Sequence, residues 1–104
     1  MADIPKISIA ITREDTPSGG RYVAHVEGKP DAEMTFSRAG QSVLIIDHTG
    51  VPKELGGLGV GKALVEHMVT DVRQRGLKVI PLCPFTKAML QRHKEWQDIL
   101  KDPF

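Results

Sequence analysis

Residues 56 to 61 read Gly-Gly-Leu-Gly-Val-Gly, four glycines in six positions, just before a helical pattern that runs to Gly76. A glycine-rich turn that opens a helix suits an anion. The first-turn N–H groups lack helical partners, the helix start is partly positive, and glycine lets a ligand approach the backbone closely. The chemistry on offer is phosphate binding by amide donors, with no metal required. Two common phosphate motifs fail on context. A P-loop continues from its last glycine with Lys and then Ser or Thr, whereas here Gly61 and Lys62 are followed by Ala63. A dinucleotide turn follows the first strand of an alternating chain, and these glycines come after the fourth strand-like segment.

Three further side chains carry reactive groups. Cys83 is the single cysteine, so it has no internal disulfide partner, and no nearby residues have metal-ligand spacing. It directly precedes Pro84 and a second helical pattern, and a helix start lowers a thiol's pKa; the alternative is a small residue buried for packing. His48 ends an apolar run and offers a base or an orienting group, or simply a strand-end ring bonded to backbone. His93 lies two turns after Phe85, where it could touch a ligand of the turn or Cys83, although a surface position is the default. By contrast, His67 shares an apolar stripe with Leu64 and Met68 and reads as packing, while strand alternation sends His25 to solvent. Lys87, Arg92 and Lys94 give the second helix a basic face that could meet the phosphate of a nucleotide, although such charges are ordinarily just solvated.

A scaffold must bring residue 48, the glycine turn and residue 83 together. The segment 7 to 12 is rich in β-branched residues, and residues 16 to 20 (TPSGG) supply a turn. Segments 21 to 28 and 32 to 40 alternate as strands, with Tyr22, Ala24 and Val26 on one face of the first, so the three predict an antiparallel meander. Val43 to Ile46 is a continuous apolar run, which predicts a central strand covered on both faces. Val60, Ala63, Leu64, Met68 and Val72 fall on one helical stripe that Gly76 ends. Segment 77 to 83 is a fifth strand, parallel to the fourth because a helix separates them. Residues 84 to 96 begin a second helix with Pro84 in its first turn, and a short last helix follows, with Trp96, Ile99 and Leu100 closing the core.

The 104 residues suffice for one domain with one core. Hydrophobic residues at 40% and charged residues at 26% are ordinary for a globular protein. Fourteen basic and 13 acidic side chains leave a net charge of +1, which marks the chain neither for nucleic acid nor for an anionic membrane. The distribution is uneven: residues 1 to 52 carry 5 basic and 7 acidic groups, and residues 53 to 104 carry 9 and 6. The positive half begins at the glycine turn, which favours an anionic ligand there. The N-terminus fits neither a signal peptide nor an anchor, and no segment has the length of a membrane span, so a cytoplasmic protein is expected.

Four strands, then Gly56-x-x-Gly59-x-Gly61, a helix, a fifth strand and a final helix resemble the GCN5-related N-acetyltransferases (GNAT). Their loop is Gln/Arg-x-x-Gly-x-Gly/Ala. The stretches HTGVPKELGGLGVGKALVEHM and RGLKVIPLCPFTKAMLQRH resemble in particular a subgroup of small, YjdJ-type domains, and the likeness covers nearly the whole chain. It implies a compact α/β (α+β) fold with a mixed, mainly antiparallel sheet of five strands, a central helix after strand four and C-terminal helices. It implies acetyl-CoA or CoA as co-substrate, with no metal. The pantetheine arm would lie between splayed strands four and five, against Thr49, Gly50 and Val51, near Phe85. The pyrophosphate would meet the amides of Gly56, Gly57, Leu58, Gly59, Val60, Gly61 and Lys62.

The chain departs from the family in two places. Gly56 stands where the pattern has Gln or Arg, with Lys53 or Lys62 nearby to compensate. The tyrosine that most members use as acid falls at Met89, and the only tyrosine, Tyr22, is in strand two. Cys83 is then the candidate acid or acyl carrier, and His48 the candidate base. The resemblance implies transfer of an acetyl group to an unidentified amine, by a monomer or weak dimer with no nucleic-acid or membrane partner. The alternative is a CoA-binding sensor with little turnover; an accessory nucleic-acid domain using the basic helix lacks aromatic stacking groups.

Overall fold

The computed structural model describes residues 8–102. Five strands form one sheet in chain order: β1 (Ile9–Thr16), β2 (Gly19–Val26), β3 (Ala32–Ala39), β4 (Val43–Gly50) and β5 (Lys78–Pro81). The first four are antiparallel neighbours, and β5 runs parallel to β4. Helix α1 (Val60–Arg75) makes the β4–β5 crossover, α2 (Pro84–Arg92) follows β5, and short 3-10 turns occupy Lys53–Leu55 and Lys94–Ile99. The mixed sheet and the helix placement agree with the expectation. Among the described residues no helix is long and apolar enough to cross a membrane.

Side-chain alternation on the pleated strands sends Tyr22, Ala24, Met34, Phe36, Leu44, Ile46 and Val79 to one face. Leu64, Val65, Met68, Val69 and Val72 of α1, with Leu90 of α2 and then Ile99 and Leu100, pack into the same cluster. Burying those apolar surfaces is the main force that holds sheet and helices together. The opposite face carries ion pairs instead: Arg21 joins Glu14 at 3.0 Å and Glu33 at 2.7 Å, and Ser37 donates to Asp47 at 2.6 Å. Residues 43 to 46 therefore differ from the expected run covered on both faces. Leu44 and Ile46 are buried in the cluster, whereas Ile45 alternates to the polar face and stays half-buried.

Element ends also moved. The described part of the first strand reaches Thr16 and the second starts at Gly19, so the turn is only Pro17 and Ser18; Ile7 lies outside the described residues. Strand five covers four residues and not 77 to 83. Leu82 and Cys83 both turn their amides to the carbonyl of Ile46, at 3.1 and 2.9 Å, so the ladder stops and the two strands part. Helix α2 stops at Arg92, because His93 adopts φ −115°, ψ 92°; this separates His93 from the helix in which it was expected. The chain then returns along the outer edge of β5, where Leu100 bridges to Val79.

A register shift lies between Thr35 and Phe36, which face His48 and Ile46. Asp47 is the extra residue of this bulge. Its consequence is that Thr49, opposite Met34, takes the core face while His48, opposite Thr35, takes the polar one.

Candidate active site

Between β4 and α1 the chain buries Leu55 in its 3-10 turn and then enters the glycines. Gly57 and Gly59 have φ values of 77° and 73°, a left-handed conformation that other residues adopt only with strain. Gly59 is the N-cap of α1 and supplies no side-chain cap, and no acidic residue sits in the first turn. Ala63 makes the first helical bond, to the Gly59 carbonyl at 3.0 Å. The amides of Val60, Gly61 and Lys62 precede that bond and have no partner within the helix. Gly61 is buried beneath the ring of Phe85: a Cβ there would come within 2.7 Å of Phe85 Cζ. The starts of α1 and α2 thus meet through a residue that has no side chain.

This contact walls a groove of about 470 Å³. One wall is Val51, Gly56, Gly57, Gly59, Val60, Gly61 and Lys62; the other is Phe85, Met89, Arg92 and His93, with Leu55 between them. Of the residues expected at the coenzyme, these eight line it: Val51, Gly56, Gly57, Gly59, Val60, Gly61, Lys62 and Phe85. Thr49, Gly50 and Leu58 do not; Leu58 instead packs against the core. Bare backbone, an uncapped helix start and two cations, Lys62 and Arg92, fit a diphosphate-bearing ligand. Leu55 had no sequence signal as a groove residue, whereas Arg92 lay on the basic face that could meet a phosphate. Leu55 reaches the groove from the 3-10 turn before the glycines, and Arg92 through the seating of α2 against the start of α1.

Cys83 sits where the two parallel strands part, at the N-cap of α2, and is 4% exposed. Its thiol donates to Thr49 Oγ1 at 3.4 Å, and Thr49 shares a second bond of 3.4 Å with Thr86 Oγ1. Burial pushes the Cys83 pKa up, but the Thr49 hydroxyl, the Thr86 amide and hydroxyl and the Phe85 amide together outweigh it and hold the thiol below its ordinary value. Cys83 itself does not line the groove; Phe85, two residues further along, does.

His48 is exposed on the face opposite Thr49, its Nε2 close over Gly50, where a Cβ would stand 3.3 Å away. Cys83 and His48 thus flank the strand opening from different faces. His93 borders the groove, its ring stacked on Trp96 at 4.2 Å between centroids and its Nδ1 donating to Glu95 at 2.9 Å. Tyr22 does not line the groove. It is buried in the core, where its hydroxyl donates to Asp71 at 2.8 Å, and burial beside that carboxylate pushes its pKa well above the ordinary value. His67 packs edge-on against Tyr22 as a core-side ring, and His25 is held on the polar face by Thr12 and Asp31.

A family model described as GCN5-related N-acetyl-transferase matches residues 21–99, from β2 to the last 3-10 turn. A candidate GCN5-like N-acetyltransferase from Staphylococcus aureus, solved by NMR, superimposes with a TM-score of 0.66 at 33% identity, covering 93% of this chain and 90% of that one. No curated protein matches the chain by sequence. The matched span takes in the glycine turn, the parting of β4 from β5 and both walls of the groove, and on that ground the chain belongs to the GCN5-related N-acetyltransferase family.

Proposed function

We propose that this protein moves an acetyl group from acetyl-CoA to an amine, with the diphosphate on the glycine turn and the thioester toward the opening between β4 and β5. The observation that carries the reading is the groove itself. It begins at an uncapped helix start with bare backbone and runs beside the point where Leu82 and Cys83 leave the ladder. In the transfer, a neutral amine nitrogen attacks the thioester carbonyl carbon, the carbon–sulfur bond breaks, the departing CoA thiolate takes up a proton and the new amide nitrogen loses one. The amides of Leu82 and Cys83 are spent on Ile46, so the donors proposed for the carbonyl oxygen as its charge develops are amides of β4 beyond Ile46, where β5 no longer pairs.

Cys83 is proposed to serve at that opening, as the acid that protonates the thiolate or as a carrier that takes the acetyl group by thioester exchange before the amine does. The groups that lower its pKa favour the carrier role, because they stabilise its thiolate. His48 is proposed as the base that accepts the proton of an incoming amine; its exposure on the other face of the strand would put that acceptor on the side away from the groove. Thr49, Gly50 and Val51 would follow the pantetheine arm, and Leu58 would support the turn from the core side. The reading needs no metal and places the protein in the cytoplasm as a monomer or weak dimer.

A CoA sensor with little turnover draws on one specific feature: Met89, not a tyrosine, lines the groove, and Tyr22 is committed to Asp71. Calorimetry with acetyl-CoA and CoA, followed by thiol release across a panel of amines, separates the two. Binding with amine-dependent release is expected. Binding without release replaces the enzyme reading with the sensor, and no binding at millimolar ligand sinks both.

A further inference from the structure

The groove is longer than the glycine turn requires. Phe85 meets Gly61 at the start of α2, yet Arg92, still on the wall, is seven residues further on, roughly 10 Å along the helix. A ligand that fills this length extends well past a diphosphate. What waits at the far end is a cation with no protein counter-charge. The chain has six arginines, and among the described residues Arg13, Arg21, Arg38, Arg73 and Arg75 each hold an aspartate or glutamate. Among the described residues Arg92 holds none, and it is the arginine on the groove. Its planar fork matches phosphate oxygens two at a time. Beside it His93 is fixed by the Trp96 stack and by Glu95 on Nδ1, which turns Nε2 into its remaining polar atom.

The direction of the ligand follows from the two ends of α2. Cys83 and Thr49 mark the acyl end, at the helix start, so the nucleotide end lies toward Arg92. Resting on the acetyl-CoA reading above, we propose that Arg92, with His93 beside it, binds the 3′-phosphate on the coenzyme's ribose and makes the protein select CoA over 3′-dephospho-CoA. A phosphate monoester brings close to two negative charges to a single guanidinium, which makes it the strongest anion the coenzyme can offer there.

Four calorimetric titrations test this: wild type and Arg92→Gln, each with CoA and with 3′-dephospho-CoA. Arg92 is exposed and holds no structural partner among the described residues, so the variant is expected to keep the wild-type melting temperature. Wild type is expected to bind CoA at least about tenfold more tightly than dephospho-CoA, and Arg92→Gln to lose most of that preference by weakening CoA alone. Equal affinities in the wild type overturn the proposal. So does a variant that weakens both ligands equally, which would assign Arg92 to the diphosphate. Failure of the underlying reading looks different, since wild type would then bind neither ligand.

Discussion

Gly56 is the position where this chain departs from the loop pattern it otherwise follows, and its backbone gives no reason for a glycine. With φ −59° and ψ 137° it lies in a region open to any residue, unlike Gly57 and Gly59. A Cβ there would stand 3.1 Å from the Lys53 carbonyl, which asks for a shift of only a few tenths of an ångström. Gly56→Arg is therefore expected to restore a charged contact to the diphosphate. Such a bond contributes about 1.5–3 kcal/mol, less roughly 1–2 kcal/mol for ordering the side chain, so acetyl-CoA should bind several-fold more tightly by calorimetry. Unchanged or weaker binding would remove the diphosphate from that spot. The same reasoning applies to Cys83, whose neighbours hold its thiol below the ordinary value. The rate of iodoacetamide labelling should rise with pH around a midpoint below that of a free cysteine, and Thr49→Val should move the midpoint upward. If the residue carries chemistry, Cys83→Ala slows acetyl transfer at least about tenfold, a barrier change of about 1.4 kcal/mol. An unchanged rate returns Cys83 to a packing role.

Helix α1 is tied to the sheet by more than its apolar stripe. Asp71 accepts from Tyr22 Oη at 2.8 Å, from Arg75 at 2.8 Å and from Arg13 at 2.5 Å, and so links α1 to both β1 and β2. Burial would raise the Asp71 pKa, but the bonds from Arg75, Tyr22 and Arg13 outweigh it and hold the carboxyl below its ordinary value. A depressed folded-state pKa means stability that is present above the ordinary carboxylate range and is lost as pH falls below it. Asp71→Asn should cost about 2–3 kcal/mol in urea unfolding at pH 7, since the poorly exposed Arg13 side chain loses one of its two carboxylates and keeps Asp15 as the other. Below about pH 4 the gap to wild type should close; a constant gap would show that charge is not what holds this link. None of this was legible in the sequence, where Arg13 and Asp71 are 58 positions apart. What periodicity did reveal was each element's type. The stripe from Val60 to Val72 and the alternation around Tyr22 follow from local geometry, and both elements formed as expected. Element ends were harder to see. Residues 77 to 83 stay apolar past Pro81, and only the capture of two amides by Ile46 stops the strand; α2 ends at His93 with no glycine or proline to announce it.

At the scale of the molecule, the brevity of the β1–β2 connection was legible, because so few residues separate the two strand patterns; the structure reduces it to Pro17 and Ser18. The polar sheet face is thereby left with its ion pairs and with His48 toward solvent. Half of the groove could be read as well, since the glycine turn is a linear motif. The wall from Phe85 to His93 could not, for it depends on α2 seating a ring on Gly61. A ligand that bridges both walls must stabilise the whole fold, because it joins the start of α1 to a C-terminal segment that closes back on β5. At a free concentration near 100 times its Kd, acetyl-CoA is expected to add about 2.7 kcal/mol, which for a domain of this size raises Tm by roughly 10–20 °C. The comparison that decides the matter is with acetyl-pantetheine, which shares the thioester arm and lacks every phosphate. If the glycine turn, Lys62 and Arg92 hold phosphates, acetyl-pantetheine at the same concentration produces a small shift that salt does not change, whereas the acetyl-CoA shift shrinks as ionic strength rises from about 0.05 to 0.5 M. Equal shifts from the two ligands would mean that the thioester arm alone is bound, and that four glycines at a helix start serve the packing of α1 against α2 and no anion.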